Sequence, residues 1–199
     1  MNMMTKTFLL SILAALSLAA SRGTELYEAN QFADAESALR EEVAAEPENA
    51  KAWQALGMTL LRLNKVNDAQ DALRKSATLN PDSAAAPLGL AEAAAHEKNF
   101  EEANIFVQEA AKIEKESSEL SYVRGVIKAG QRDFRNAVKD FDEALAKDDR
   151  HAYAHYYAGL SYNALKRPDK MIDHFQKFMR LAAKAPEAER VQSILRATK

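Results

Sequence analysis

One column of small residues fixes what this chain can fold into: Gly23, Gly57, Gly125 and Gly159 stand on a common 34-residue step, with Ala91 in the one missing place. Three further columns keep that step. Ala35, Ala69, Ala103 and Ala137 form a second small one, replaced by Met171 in the last copy. Leu39, Leu73, Val107, Phe141 and Phe175 form a large apolar column. Phe32, Val66, Phe100 and Phe134, with Pro168 last, form the fourth. A fixed period of this length signifies stacked supersecondary units, none of which can bury its apolar face alone. The Gly column marks where the two helices of a unit approach closely, since a larger side chain there would hold them apart.

Helix punctuation agrees with helix pairs. Asn99 with Glu102 has the capping-box pattern before a second helix, and Asp133 is suited to N-cap the next one. Pro168 falls at a first helical position, where its missing N–H costs nothing. Pro47 and Pro81 end second helices, because proline disfavours a helical residue before it. Pro87 lies within a first turn, whose N–H groups have no intrahelical partner.

The clearest copy reads Trp53, Leu56-Gly57, Leu60, Ala69, Leu73 and Pro81. In that order it resembles the tetratricopeptide repeat family. The resemblance implies an all-α solenoid, a right-handed superhelix of about five helix–turn–helix repeats near 22–49, 50–83, 84–117, 118–151 and 152–185. Pro87 departs from the family by standing where the first-helix aromatic belongs. After Pro186, residues 187–198 place Ala188, Val191, Ile194 and Leu195 on one helical face, which suits a capping helix over 186–199.

The amino terminus is different in kind. Residues 1–7 carry Lys6 and no acid, and residues 8–20 are apolar apart from Ser11 and Ser17. That run is too short to span a bilayer, which takes roughly 20 residues. With the small residues that follow, 1–21 reads as a secretory signal peptide, and the expected location is the bacterial periplasm. Leu18-Ala19-Ala20-Ser21 is similar to a bacterial lipobox with Ser in the place of Cys. A lipid anchor would need Cys at 21, so the sequence as it stands predicts a released export product with no membrane span in the mature chain. An uncleaved apolar first helix is the alternative. Cleavage would leave a truncated first repeat, whose open edge is a route to self-association.

Composition narrows the function. A net charge of -2 and a pI near 6.1 give no cationic footprint for nucleic acid. The chain has no cysteine, which excludes disulfides, thiolate catalysis and Cys-bearing zinc sites. His151 and His155 have the i, i+4 spacing of two metal ligands on one helix, but His155 holds the packing position of Trp53 and no zinc-protease Glu accompanies them. A structural or surface role is expected. Glu92 and His96, also i, i+4, read as an exposed helix ion pair rather than an acid–base pair. No phosphate loop or nucleophile elbow appears. No catalytic residue, metal or cofactor is expected.

The resemblance implies a concave surface lined by the first helix of each pair, on positions facing away from the Leu-Gly seam. Those positions are Gln54, Met58 and Arg62 in copy two; Leu88, Glu92 and His96 in copy three; Tyr122 and Val126 in copy four; Tyr153, Tyr156, Leu160 and Asn163 in copy five. The family's carboxylate clamp is absent, since its places hold Gln54, Met58 and Gly89. The expected ligand is an amphipathic helix or an extended, partly apolar peptide of a protein partner. For Tyr122, Tyr153 and Tyr156 binding and packing are equally open, whereas Tyr157 and Tyr162 read as inter-helix packing.

The functional expectation is a non-catalytic scaffold in envelope-complex assembly, of the kind served by pilotin-like proteins. The alternatives are a self-associating structural repeat protein and a metal-binding or enzymatic helical protein.

Overall fold

A computed structural model describes residues 22–198, and it is helical, with no strand among the described residues. The signal-peptide and lipobox readings fall on residues 1–21, outside the described residues. The chain divides into two compact units, with the boundary between Asn80 and Pro81. The first holds α1 (described over residues 22–28), α2 (Phe32–Ala45), α3 (Ala50–Arg62) and α4 (Val66–Leu79). The second holds α5 (Ala85–His96), α6 (Phe100–Ile113), α7 (Ser118–Gly130), α8 (Phe134–Lys147), α9 (Ala152–Ala164), α10 (Pro168–Leu181) and α11 (Ala188–Ala197). Among the described residues these helices make five packed pairs and a carboxy-terminal helix, as the repeat reading expects.

Each pair closes on the Gly column. A Cβ at Gly23 would stand 2.7 Å from the Leu39 side chain, at Gly57 2.5 Å from Leu73, at Gly125 2.5 Å from the Phe141 ring and at Gly159 2.6 Å from Phe175. The partners are fully buried, so none has room to withdraw. Copy three carries Ala91 instead of Gly, and there the register offers Val107, one carbon shorter than Leu. The second small column is sealed as well: Ala35, Ala69, Ala103 and Ala137 have no exposed surface, and Met171 retains 2%.

The turn inside every pair is one motif. In the second pair Asn64 N–H donates to the Leu61 carbonyl and Lys65 N–H to the Leu60 carbonyl, at 3.0 and 2.8 Å. This is the Schellman arrangement, which satisfies two carbonyls left open at a helix end and needs a left-handed residue at its apex. The apices are Asn30, Asn64, Lys98, Arg132 and Lys166, with φ between 56 and 66°. Asn tolerates this conformation; other L-residues strain by roughly 1–2 kcal/mol.

In the third and fourth pairs the residue after the apex also caps the next helix. The Asn99 side chain accepts from Glu102 N–H at 3.4 Å and Asp133 from Asn136 N–H at 3.3 Å. Glu102 meets Asn99 through its side chain, at 2.6 Å, rather than through the Asn99 backbone. Pro168 opens α10. In the second unit α11 lies against α10, burying Ala188 and Val191, while Ile194 and Leu195 are half-buried. Tyr153 Oη donates to Glu187 at 2.9 Å beside it.

Candidate binding surface

The first helices of the second unit's three pairs, α5, α7 and α9, pack in succession. Where their carboxy-terminal ends come together they leave a shallow cavity of about 260 Å³. His96 closes one side of it, and Val126, Ala129 and Gly130 form the floor along α7. Tyr157 and Leu160 of α9 and the ring of Phe134 complete an almost wholly apolar lining. Gly130 is needed at this place because a Cβ would stand 2.7 Å from the Phe100 ring. The Tyr157 hydroxyl lies 3.5 Å from His96 Nε2, the main polar feature at the rim.

Of the groove residues expected from sequence, His96, Val126 and Leu160 meet at this cavity. Asn163 is exposed and Gln54, in the first unit, is half-buried. The others are buried: Met58 and Arg62 in the first unit, and Leu88, Glu92, Tyr122, Tyr153 and Tyr156 in the second. The tyrosines account for much of this. Tyr122 packs between Phe141 and the His151 ring, and Tyr153 and Tyr156 both pack against Phe178. A partner reaches those rings only if they move. Tyr157, read as packing alone, does pack on Phe141, and it also lines the cavity.

Glu92 corrects a second expectation. It is not half of an exposed ion pair: its side chain has no exposed surface, and Tyr122 Oη donates to its Oε1 at 2.7 Å. His96 Nε2 stands 3.9 Å from the same oxygen, so the groups are near each other but only the histidine reaches solvent.

The remaining histidines have separate structural roles. His151 is the N-cap of α9: its Nδ1 accepts from Ala154 N–H at 3.1 Å, which leaves Nε2–H to bond Glu119 at 2.9 Å. His155 turns away from it towards His174, with the two Nδ1 atoms 3.0 Å apart. His155 Nε2 faces the Asp149 carbonyl at 3.1 Å and must carry its proton, so His174 Nδ1–H donates to the His155 Nδ1 lone pair. Burial pushes both imidazoles down, and with the His155 ring adjacent, His174 falls to about 4. The pair borders a second cavity of about 550 Å³, whose rim mixes Asp142, Asp149 and Asp173 with Arg150, Lys170 and Lys177. Among the described residues no three His, Asp or Glu side chains converge as metal ligands. Nor, among them, is any helix long and apolar enough to cross a membrane.

Stacked helix pairs, each shut by a small residue against a large apolar one and turned by a Schellman apex, define a tetratricopeptide repeat protein. The chain belongs to the family of the cytochrome c-type biogenesis protein H TPR domain, whose profile matches residues 13–152. A second tetratricopeptide profile matches residues 122–186. The fold is similar to TTC0263, a thermophilic TPR protein of Thermus thermophilus, with a TM-score of 0.73, 18% identity, and coverage of 92% of this chain and 98% of that one. It is also similar to MamA, with a TM-score of 0.51 and 21% identity over 87% of this chain and 94% of that one. A search of the curated proteins gave no match. A tetratricopeptide fold of this kind is a protein-interaction scaffold.

Proposed function

We propose that this chain is a non-catalytic adaptor of an exported compartment, the bacterial periplasm, where it holds a polypeptide partner during cytochrome c-type biogenesis. The observation that carries the reading is the family match over residues 13–152. The surface supports binding over catalysis. Its apolar cavity, about 260 Å³, is smaller than the ~300–1,000 Å³ of sites for drug-sized ligands, and suits an anchoring side chain. The leader pattern of residues 1–21 supports export. A pilot role in pilus or secretion assembly, which leader and repeats alone would equally suit, has no comparable family support.

The test is deletion of the gene in the encoding organism, followed by staining of envelope proteins for covalently bound haem. Loss of c-type cytochromes, restored by the full-length chain, is expected. Unchanged haem staining would overturn the biogenesis role, and recovery of the uncleaved chain with the cytoplasmic fraction would overturn export.

A further inference from the structure

Three of the five left-handed turn apices depart from the residue type that the conformation favours. The first unit uses Asn30 and Asn64, whereas the second uses Lys98, Arg132 and Lys166. Three long cationic side chains are therefore held in a conformation that strains them, at the same turn of three successive pairs. All three are exposed, and none makes an ion pair among the described residues. Neighbouring charges behave differently: Arg167 is paired with Asp169 at 3.0 Å, and the Asp133 carboxylate is engaged in capping α8. Glu97, the acid that precedes Lys98, is exposed in the same turn.

The row runs beside the apolar cavity. Lys98 is two residues from His96 and Arg132 two residues from Gly130, both of which line it, and Lys166 follows α9, which supplies Tyr157 and Leu160. Packed helices lie about 10 Å apart, so successive cations recur at about that interval. An extended chain advances roughly 3.3 Å per residue, so every third residue of such a chain falls opposite the next cation.

We infer that this edge of the second unit binds an extended acidic peptide, with carboxylates at about every third residue opposite Lys98, Arg132 and Lys166 and one large apolar side chain seated in the cavity. The inference rests on the reading of the chain as a binder of polypeptide partners, and names the chemistry of the segment bound. Complementary charge sets the register and the rate of encounter, while the buried anchor supplies most of the affinity.

The experiment uses the full chain and a fluorescein-labelled peptide with Glu at its first, fourth and seventh positions and Trp at its fifth. A control peptide has Gln for every Glu. Expected are saturable binding of the Glu peptide, at least tenfold weaker binding of the Gln peptide, and a similar loss in the triple variant Lys98→Gln, Arg132→Gln, Lys166→Gln. Raising salt from 50 to 500 mM should weaken the wild-type interaction and leave that of the variant nearly unchanged. Circular dichroism confirms that the variant is folded; three strained apices become no worse with Gln. Equal binding of both peptides, or no binding of either to the wild type, overturns the inference. So does binding of the wild type, but not the variant, to vesicles of phosphatidylglycerol and phosphatidylcholine when the peptides do not bind, since the row then serves an anionic lipid surface. The adaptor reading is tested apart from this, by the haem phenotype.

Discussion

The Tyr122 hydroxyl donates to Glu92 Oε1 at 2.7 Å, joining α7 to α5 through two side chains with no exposed surface. A buried carboxylate that loses such a donor keeps the cost of desolvation without the bond that offset it. Tyr122→Phe, which retains the ring, should therefore destabilise the chain by about 1–3 kcal/mol. For a chain of this size that lowers the melting midpoint by about 2–4 °C per kcal/mol. Thermal unfolding followed by circular dichroism checks it, and an unchanged midpoint would show that the bond contributes nothing.

Gly125 and Phe141 should behave as one unit. Gly125→Ala places a carbon 2.5 Å from a ring that is itself enclosed, at a cost of about 1–3 kcal/mol. Phe141→Val alone leaves a cavity. Together they reproduce the Ala91 and Val107 combination of copy three, so the double variant should lose less than the two single losses added. A double-mutant cycle by urea unfolding should give a favourable coupling of about 0.5–3 kcal/mol. Strict additivity would mean that the Gly column is not set by its partner.

Glu42 in α2 is buried, receives one long bond from Asn49 Nδ2 at 3.4 Å, and has no partner for Oε2 among the described residues. Burial, and secondarily the charge of Glu46, push its pKa to about 7 from an ordinary 4.5. Between those values the folded chain holds a proton that the unfolded chain releases, so this group's stabilisation is complete below 4.5 and is lost as pH rises through 7. Glu42→Gln should accordingly raise the melting midpoint at pH 8 and change it little at pH 4.5. Equal shifts at both pH values would contradict the buried, protonated carboxyl.

The His155 and His174 pair acts with the opposite sign. His174 is held neutral to about 4, against 6.5 for an open imidazole. From 6.5 downward the unfolded chain takes up a proton that the folded chain refuses, so stability from this group is present above 6.5 and declines as pH falls towards 4. His174→Gln, which keeps an N–H for His155 Nδ1, should flatten the midpoint-against-pH curve over that window. A curve of unchanged slope would place the acid sensitivity elsewhere.

Fold and site were legible to different degrees, for a physical reason. The Gly, Ala and large apolar columns are visible because close packing admits few substitutions, and every copy must solve the same contact. Both Asn99 and Asp133 were readable as caps because few side chains can accept from N2 or N3. Burial on the first-helix face was not legible, since Tyr122 and Glu92 occupy positions that a repeat alignment marks as outward. Whether such a face is open depends on how the next pair's rings lie over it, which the step of 34 does not encode. The turn apices were hidden for the converse reason. A left-handed residue is sought as Gly or Asn, and Lys98, Arg132 and Lys166 conceal the conformation behind ordinary surface chemistry, although their shared register with Asn30 and Asn64 is in the sequence. His155 and His174, 19 residues apart, belong to no motif and meet only because α9 and α10 pack.

The fitted seam within each pair also limits how such a chain can be rearranged. The second helix of the fourth pair brings Phe141 to the place where the third pair's first helix carries a methyl, so a hybrid of α5 with α8 would collide at that point. A hybrid of α7 with α6 would instead leave a gap beside Val107. Repeats that differ at this seam are therefore not interchangeable helix by helix. A rearrangement keeps this contact when whole pairs move, or when single helices are exchanged between pairs that share the Gly–Leu or the Gly–Phe combination.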